Sequence, residues 1–322
     1  MLTGILAGVT WALETVILGI ALQMSPLTSD GRIAFLAPFI ATFLHDAFSA
    51  IYMLLYHVAR GKIKDLLAIC KKKTVLWLIL SSAIGGPIGM TGYVMAVRYM
   101  GPSVGAVASA IYPAVGAVLA CLFLKEKNKW YQWIFLAMTL LGVLGISYSP
   151  GLQIENVWLG LLGAFMCAFG WGIEAVILAK CFKDGEIKSE YALNIRQAVS
   201  ALIYGSLILP TLGAWDVTFG LFAGGEGVLL LIIAIAALCA TLSYMFYYRS
   251  ISKIGAAKAM ALNITYTAWA ILFTVILLGD LSALNPMTLT FAPMIVVCGF
   301  FAATDIRQVF QTKKRINKEY DD

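Results

Sequence analysis

The residues best suited to chemistry come as a matched pair. Trp11-Ala12-Leu13-Glu14-Thr15-Val16-Ile17-Leu18 returns as Trp171-Gly172-Ile173-Glu174-Ala175-Val176-Ile177-Leu178, with five of eight residues identical. Each copy sets one Glu in the middle of an otherwise apolar helix, and a carboxylate at membrane depth is costly enough to read as functional. The Trp three residues earlier shares a helix face with its Glu. That combination suits a cation: the carboxylate supplies charge and the indole face supplies cation–π attraction. Quaternary ammonium groups, which have no N–H to donate, are held in this way. The plainer alternative is two protonated acids, each bonded to a neighbouring helix.

Other residues could complete such a cage. Tyr244 and Tyr248 lie four apart on one helix face. Tyr93, Tyr112, Tyr266 and Trp269 are further candidates, although aromatic side chains in membrane helices more often pack or meet lipid. His45-Asp46 and Arg196-Gln197 fall at matching positions of the two halves. They suggest a buried Asp46–Arg196 pair or a proton path through His45, with a purely structural polar contact as the simpler reading. Gly85-Gly86-Pro87 interrupts an apolar run and predicts a kink or hinge, because Pro removes a backbone donor. Pro113 is a second such position.

These residues need a scaffold. The chain has 322 residues, 61% hydrophobic and 12% charged, where soluble domains carry about 25% charged residues. Its apolar runs are long enough to cross ~30 Å of hydrocarbon. Ten spans are expected, at roughly 2–24, 33–59, 74–98, 102–124, 129–149, 156–180, 189–212, 226–250, 255–278 and 286–304. The predicted fold class is an all-α polytopic membrane protein. Glu14 then lies ~18 Å along the first span, near the midplane.

The repeat extends beyond the first pair. Tyr93 and Arg98 recur as Tyr244 and Arg249 at the same spacing, Tyr112 as Tyr266, and Glu126 as Asp280. The chain therefore reads as two five-helix repeats, 1–150 and 151–306, with a polar cytoplasmic tail at 307–322. An odd number of spans per repeat inverts the second copy, as in many secondary transporters. Small or short residues line the fourth and ninth spans at Gly105, Ser109, Pro113 and at Ala259, Asn263, Thr267, and such faces permit close approach. Twenty of the 23 Lys and Arg residues fall on one side if both termini are cytoplasmic. The connection from Arg60 to Lys73 mixes basic and apolar residues, fitting either an amphipathic turn on the inner leaflet or an ordinary loop.

Several classes are disfavoured. The net charge of +6 does not indicate nucleic acid, because the basic residues sit between apolar runs. The six cysteines are scattered without a CxxC, and His45 and His57 are the only histidines, so neither a metal site nor a cofactor is expected. No enzyme signature or cleavable signal is evident.

Apart from its tail, the chain resembles the drug/metabolite transporter superfamily in its ten-helix EamA form. The residues that carry this resemblance are the five-plus-five repeat and Tyr112-Pro113 followed by Lys125-Glu126. Within it, the duplicated Trp-x-x-Glu, Gly85-Gly86-Pro87-Ile88-Gly89-Met90 and Tyr244-x-x-x-Tyr248 are similar to bacterial choline permeases of the Lic type. The resemblance implies choline uptake across the bacterial plasma membrane, with Trp11, Glu14, Trp171, Tyr244 and Tyr248 around the trimethylammonium group. The small molecule, the lipid bilayer and protons are the expected partners. Acids that exchange protons for the cation would make an antiporter; acids that admit both would make a symporter. Export of amino acids, metabolites or drugs on the same fold is the first alternative, and a non-transporting sensor the second.

Overall fold

The computed structural model describes residues 1–100, 110–147, 155–183, 185 and 187–305. The tail at 307–322 and the small residues Gly105 and Ser109 lie outside the described residues. The described chain is helical throughout, with no strand among the described residues. Among those residues, nine helices are long and apolar enough to cross a membrane: α1 (Leu2–Leu22), α2 (Gly31–Ala59), α3 (Thr74–Met100), α5 (Trp130–Ser147), α6 (Val157–Lys183), α7 (Ser189–Thr211), α8 (Gly227–Ile254), α9 (Ala256–Leu278) and α10 (Pro286–Ala303). A shorter apolar helix, α4 (Tyr112–Leu124), supplies the tenth element. Leu122, Phe123, Leu202, Leu231 and Ile276 stand exposed around the bundle, as lipid-facing residues should.

Packing is symmetric in the exchange of halves. Helix α1 packs most extensively on α8, and α6 on α3; α1 meets α9 as α6 meets α4; α2 meets α8 as α7 meets α3. The pairs α2–α7, α4–α9 and α5–α10 map onto themselves. The first and sixth spans thus occupy equivalent places, and the Glu of each is buried.

The α3–α6 crossing depends on glycine. A Cβ at Gly92 would stand 2.6 Å from the Gly163 carbonyl oxygen and 2.7 Å from the Cys167 nitrogen, so backbone meets backbone. Gly92→Ala is therefore expected to pry the two helices apart and cost about 1–3 kcal/mol. Thermal unfolding in detergent checks this, and an unchanged midpoint would contradict so close an approach.

Local breaks differ from expectation in detail. The Gly85-Gly86-Pro87 stretch forms a π-helical turn, Ile84–Ile88, inside an otherwise continuous α3. The wider turn accommodates the donor that Pro87 lacks. A second π turn, Tyr204–Ile208, lies in α7, where no Gly or Pro run announced it. Pro113 stands in the first turn of α4, where its missing N–H costs nothing, just after a turn at Ile111; the part of the span before Ala110 lies outside the described residues. Helix α9 is broken after Asn263 and resumes at Tyr266.

Among the described residues, two short α-helices lie outside the ten. Ile63–Ile69 turns Leu66 and Ile69 inward and leaves Leu67 exposed. Trp215–Ala223, between α7 and α8, was not expected, and it is anchored by the Trp215 Nε1 bond to the Gly205 carbonyl at 3.0 Å. The matched acids Glu126 and Asp280 take different partners. Glu126 accepts from the Ala256 and Ala257 amides at 2.9 and 3.3 Å, capping α9 from the end of α4. Asp280 caps its own loop through the Ser282 amide at 3.0 Å.

Candidate functional site

Glu14 is brought to the centre by the α1–α8 contact. Its side chain is 4% exposed and borders a chamber of about 300 Å³. Trp11, Tyr93, Trp171, Tyr244 and Tyr266 line that chamber, together with His45, Asp46 and Arg196. The aromatic rings brace one another. Trp11 stands edge-on to Tyr244 at 5.0 Å and to Tyr266 at 6.5 Å, while Trp171 stacks with Tyr93 at 6.2 Å. Rings so placed present faces and edges at fixed angles, which suits cation–π recognition.

A smaller cavity of about 50 Å³ lies beyond this aromatic wall. It shares Trp11, Trp171, Tyr244 and Tyr266 with the larger chamber and adds Tyr112, Glu174, Ser243, Tyr247 and Asn263. Tyr112 accepts there from the Asn263 side-chain amide at 3.0 Å and meets Trp171 edge-on at 5.6 Å.

The polar groups form a chain that joins the two repeated acids. Glu14 receives a bond from the Thr15 hydroxyl at 3.3 Å, and His45 Nε2 lies 3.8 Å from its other oxygen. His45 Nδ1 lies 2.9 Å from Asp46 Oδ1. Arg196 Nη1 reaches both Asp46 oxygens at 3.4 Å, and its Nε donates to Glu174 Oε1 at 3.1 Å. Gln197, Ser49 and Thr241 extend the network, with Gln197 accepting from Arg196 at 2.5 Å and donating to Ser49 at 2.7 Å. The Arg196 guanidinium also sits over the Tyr244 ring, 4.7 Å from its centroid.

Two expected cage members take other roles. Tyr248 has no exposed surface and lines neither cavity; its hydroxyl donates to Glu174 at 3.2 Å. Four-residue spacing put it on one face with Tyr244, but α8 turns that part of the face toward α6. Glu174 is engaged by Arg196 and Tyr248 and borders only the smaller cavity. It also lies against Gly85, where a Cβ would collide with its side chain, and Trp171 Nε1 bonds the Gly85 carbonyl at 3.0 Å. The glycine run of α3 thus serves close approach to α6. Trp269 lies outside both cavities and lines a separate apolar one with Ile5, Val296 and Phe300.

The chamber also contains residues that no motif announced. Pro38 and Thr42 line it without any signal in the sequence, whereas Met90 closes the Gly85–Met90 motif and Tyr266 was signalled by its match to Tyr112. Among the described residues no group of three or more His, Cys, Asp or Glu is placed to hold a metal ion.

Residues 1–148 match the EamA-like transporter family. The first half of this chain is similar to an EamA-like transporter domain. The match ends where the first five helices end, just past α5. Protein LicB of Haemophilus influenzae is 29% identical over 272 residues, covering 84% of this chain and 86% of LicB. A solved structure described only as the crystal structure of a protein aligns with a TM-score of 0.67 at 18% identity. It covers 94% of this chain and 95% of its own, so the two share a fold over nearly their whole length. The chain is a multi-pass membrane protein of transporter type.

Proposed function

We propose that this protein carries a small organic cation, choline, across the bacterial plasma membrane by alternating access between its halves, 1–150 and 151–306. The observation that carries the reading is Glu14, a buried acid on the wall of a ring-lined chamber with no permanent cation of its own. Glu14, Asp46 and Glu174 set three carboxylates against one guanidinium, so the cluster has a deficit of positive charge. An entering cation helps to fill that deficit. A trimethylammonium group needs no acceptor and gains from the faces of Trp11 and its neighbours. Amino acid cargo fits less well, because a substrate carboxylate would seek Arg196, which is already held by Glu174 and Asp46.

The chamber runs from Glu14 past Leu18 and Leu22 of α1, and past Pro38 and Thr42 of α2. Both stretches flank the α1–α2 connection. With both termini cytoplasmic, that connection faces outward and the chamber extends from Glu14 toward the exterior side. The Trp11–Tyr244–Trp171 wall then separates it from the smaller inner cavity, and these rings must move for release. Inside-negative potential alone would favour uptake by ~2.3 kcal/mol per charge per 100 mV.

Uptake of radiolabelled choline into proteoliposomes tests the function. Binding without flux would favour a sensor, and stabilisation by amino acids in place of choline would change the cargo. Charge recognition is tested with 3,3-dimethylbutan-1-ol, the neutral isostere of choline, which is expected to bind much more weakly. Trp11→Leu removes a desolvated cation–π partner worth up to about 2 kcal/mol and should weaken choline binding up to roughly 30-fold while sparing the isostere. Equal losses for both compounds would mean that Trp11 acts by shape alone.

A further inference from the structure

We propose that His45 and Arg196 are equivalent gatekeepers of two half-sites, one yielding and one permanently closed, and that this difference limits the chamber to a single substrate cation. The inference rests on the reading of the chamber as a cation site. Arg196 follows His45 by 151 positions, as Tyr244 follows Tyr93. Each base lies on the second helix of its half and faces the acid on the first. His45 Nε2 is 3.8 Å from Glu14, and Arg196 Nε is 3.1 Å from Glu174.

The two pairs differ in how firmly they are made. His45 is 6% exposed and its Nε2 has no hydrogen-bond partner among the described residues, while Nδ1 is held by Asp46 at 2.9 Å. Imidazole can be neutral, so its claim on Glu14 can lapse. A guanidinium stays charged. Arg196 bonds Glu174, Asp46 and Gln197 together, and Tyr248 adds a further bond to Glu174. At the position equivalent to Tyr248 the first half has Val97, which has nothing to donate.

The space around the acids agrees. Glu14 borders the chamber of about 300 Å³, and Glu174 borders a cavity of only about 50 Å³. The Arg196 guanidinium lies 4.7 Å from the Tyr244 centroid, on the ring face that a second substrate cation would use. Arg196 is thus a tethered cation filling the second station, and Glu14 is the station left for the substrate. Exchanging the bases should exchange the behaviour of the half-sites.

The test is equilibrium binding of radiolabelled choline to the purified full chain, with α,ω-bis(trimethylammonium)alkanes of graded length as competitors. Wild type should bind one choline per chain. Arg196→His should bind two and show competition by a bis-quaternary compound strengthened by at least roughly tenfold. Adding Glu174→Gln to Arg196→His should remove the second choline. His45→Arg should bind none while unfolding no earlier than wild type, because it adds a base to an acid-rich cluster. A folded Arg196→His chain with one site and no gain for bis-quaternary compounds would overturn the proposal, as would His45→Arg binding choline normally. Should Arg196→His fail to fold, His45→Arg decides alone. Absence of choline binding in wild type overturns the underlying reading, whereas wild-type binding with unaltered variants overturns this inference only.

Discussion

Replacing Glu14 with Gln is expected to weaken choline binding by roughly 30-fold, an effect of about 2 kcal/mol. The substitution keeps shape and hydrogen-bonding capacity and removes only the charge. Glu14 is 4% exposed, so water screens its field poorly. Its neighbours are the Thr15 hydroxyl and His45 Nε2, at 3.3 and 3.8 Å, and neither is a permanent cation. A cation in the chamber therefore meets a field that a neutral amide at this position could not supply. The same change at Glu174 should act differently. Glu174 is already engaged by Arg196, so Glu174→Gln should chiefly disturb that pair and leave choline affinity closer to wild type. Isothermal titration of choline into both variants decides the matter. Equal losses would mean that both acids contact the substrate, and unchanged affinity in Glu14→Gln would remove Glu14 from the site.

The sequence announced this site where a residue type conflicted with its surroundings. A Glu in an apolar run is conspicuous because burying it is costly, and its repetition beside Trp marked both halves. Span boundaries were legible for a related reason. Hydropathy must persist across the hydrocarbon, so Leu2–Leu22 and Pro286–Ala303 fall within a few residues of their expected limits. Helix rotation was not legible. Whether Tyr248 faces a cavity or α6 depends on the azimuth of α8, and four-residue spacing says only that it shares a side with Tyr244. The bond between Arg196 and Glu174 likewise depends on how α6 and α7 turn toward each other. Asp46 was expected as the partner of Arg196, but the added hold on Glu174 needed three-dimensional placement. The π turn at Tyr204–Ile208 and the helix Trp215–Ala223 had no local residue signal strong enough to announce them.

Arg196→Ala should be the most destabilising single change in the chamber, costing about 3–5 kcal/mol. Arg196 is 4% exposed and bonds two buried carboxylates, Asp46 at 3.4 Å and Glu174 at 3.1 Å. Its removal leaves both acids without their shared counter-charge. It also ends the bond to Gln197 that leads to Ser49 and Thr241, so the contact of α2 with α7 and α8 loosens as well. Breaking one partner of a buried pair is worse than replacing the whole cluster by neutral groups, because only the former strands a charge. The combined change Asp46→Asn, Glu174→Gln, Arg196→Gln should therefore unfold at a higher temperature than Arg196→Ala alone, since amides can bond one another without a net charge. Differential scanning fluorimetry of detergent-solubilised protein provides the comparison. An Arg196→Ala chain as stable as wild type would show that water reaches Asp46 and Glu174. A triple variant no more stable than Arg196→Ala would show that the guanidinium contributes through packing against Tyr244 rather than through charge.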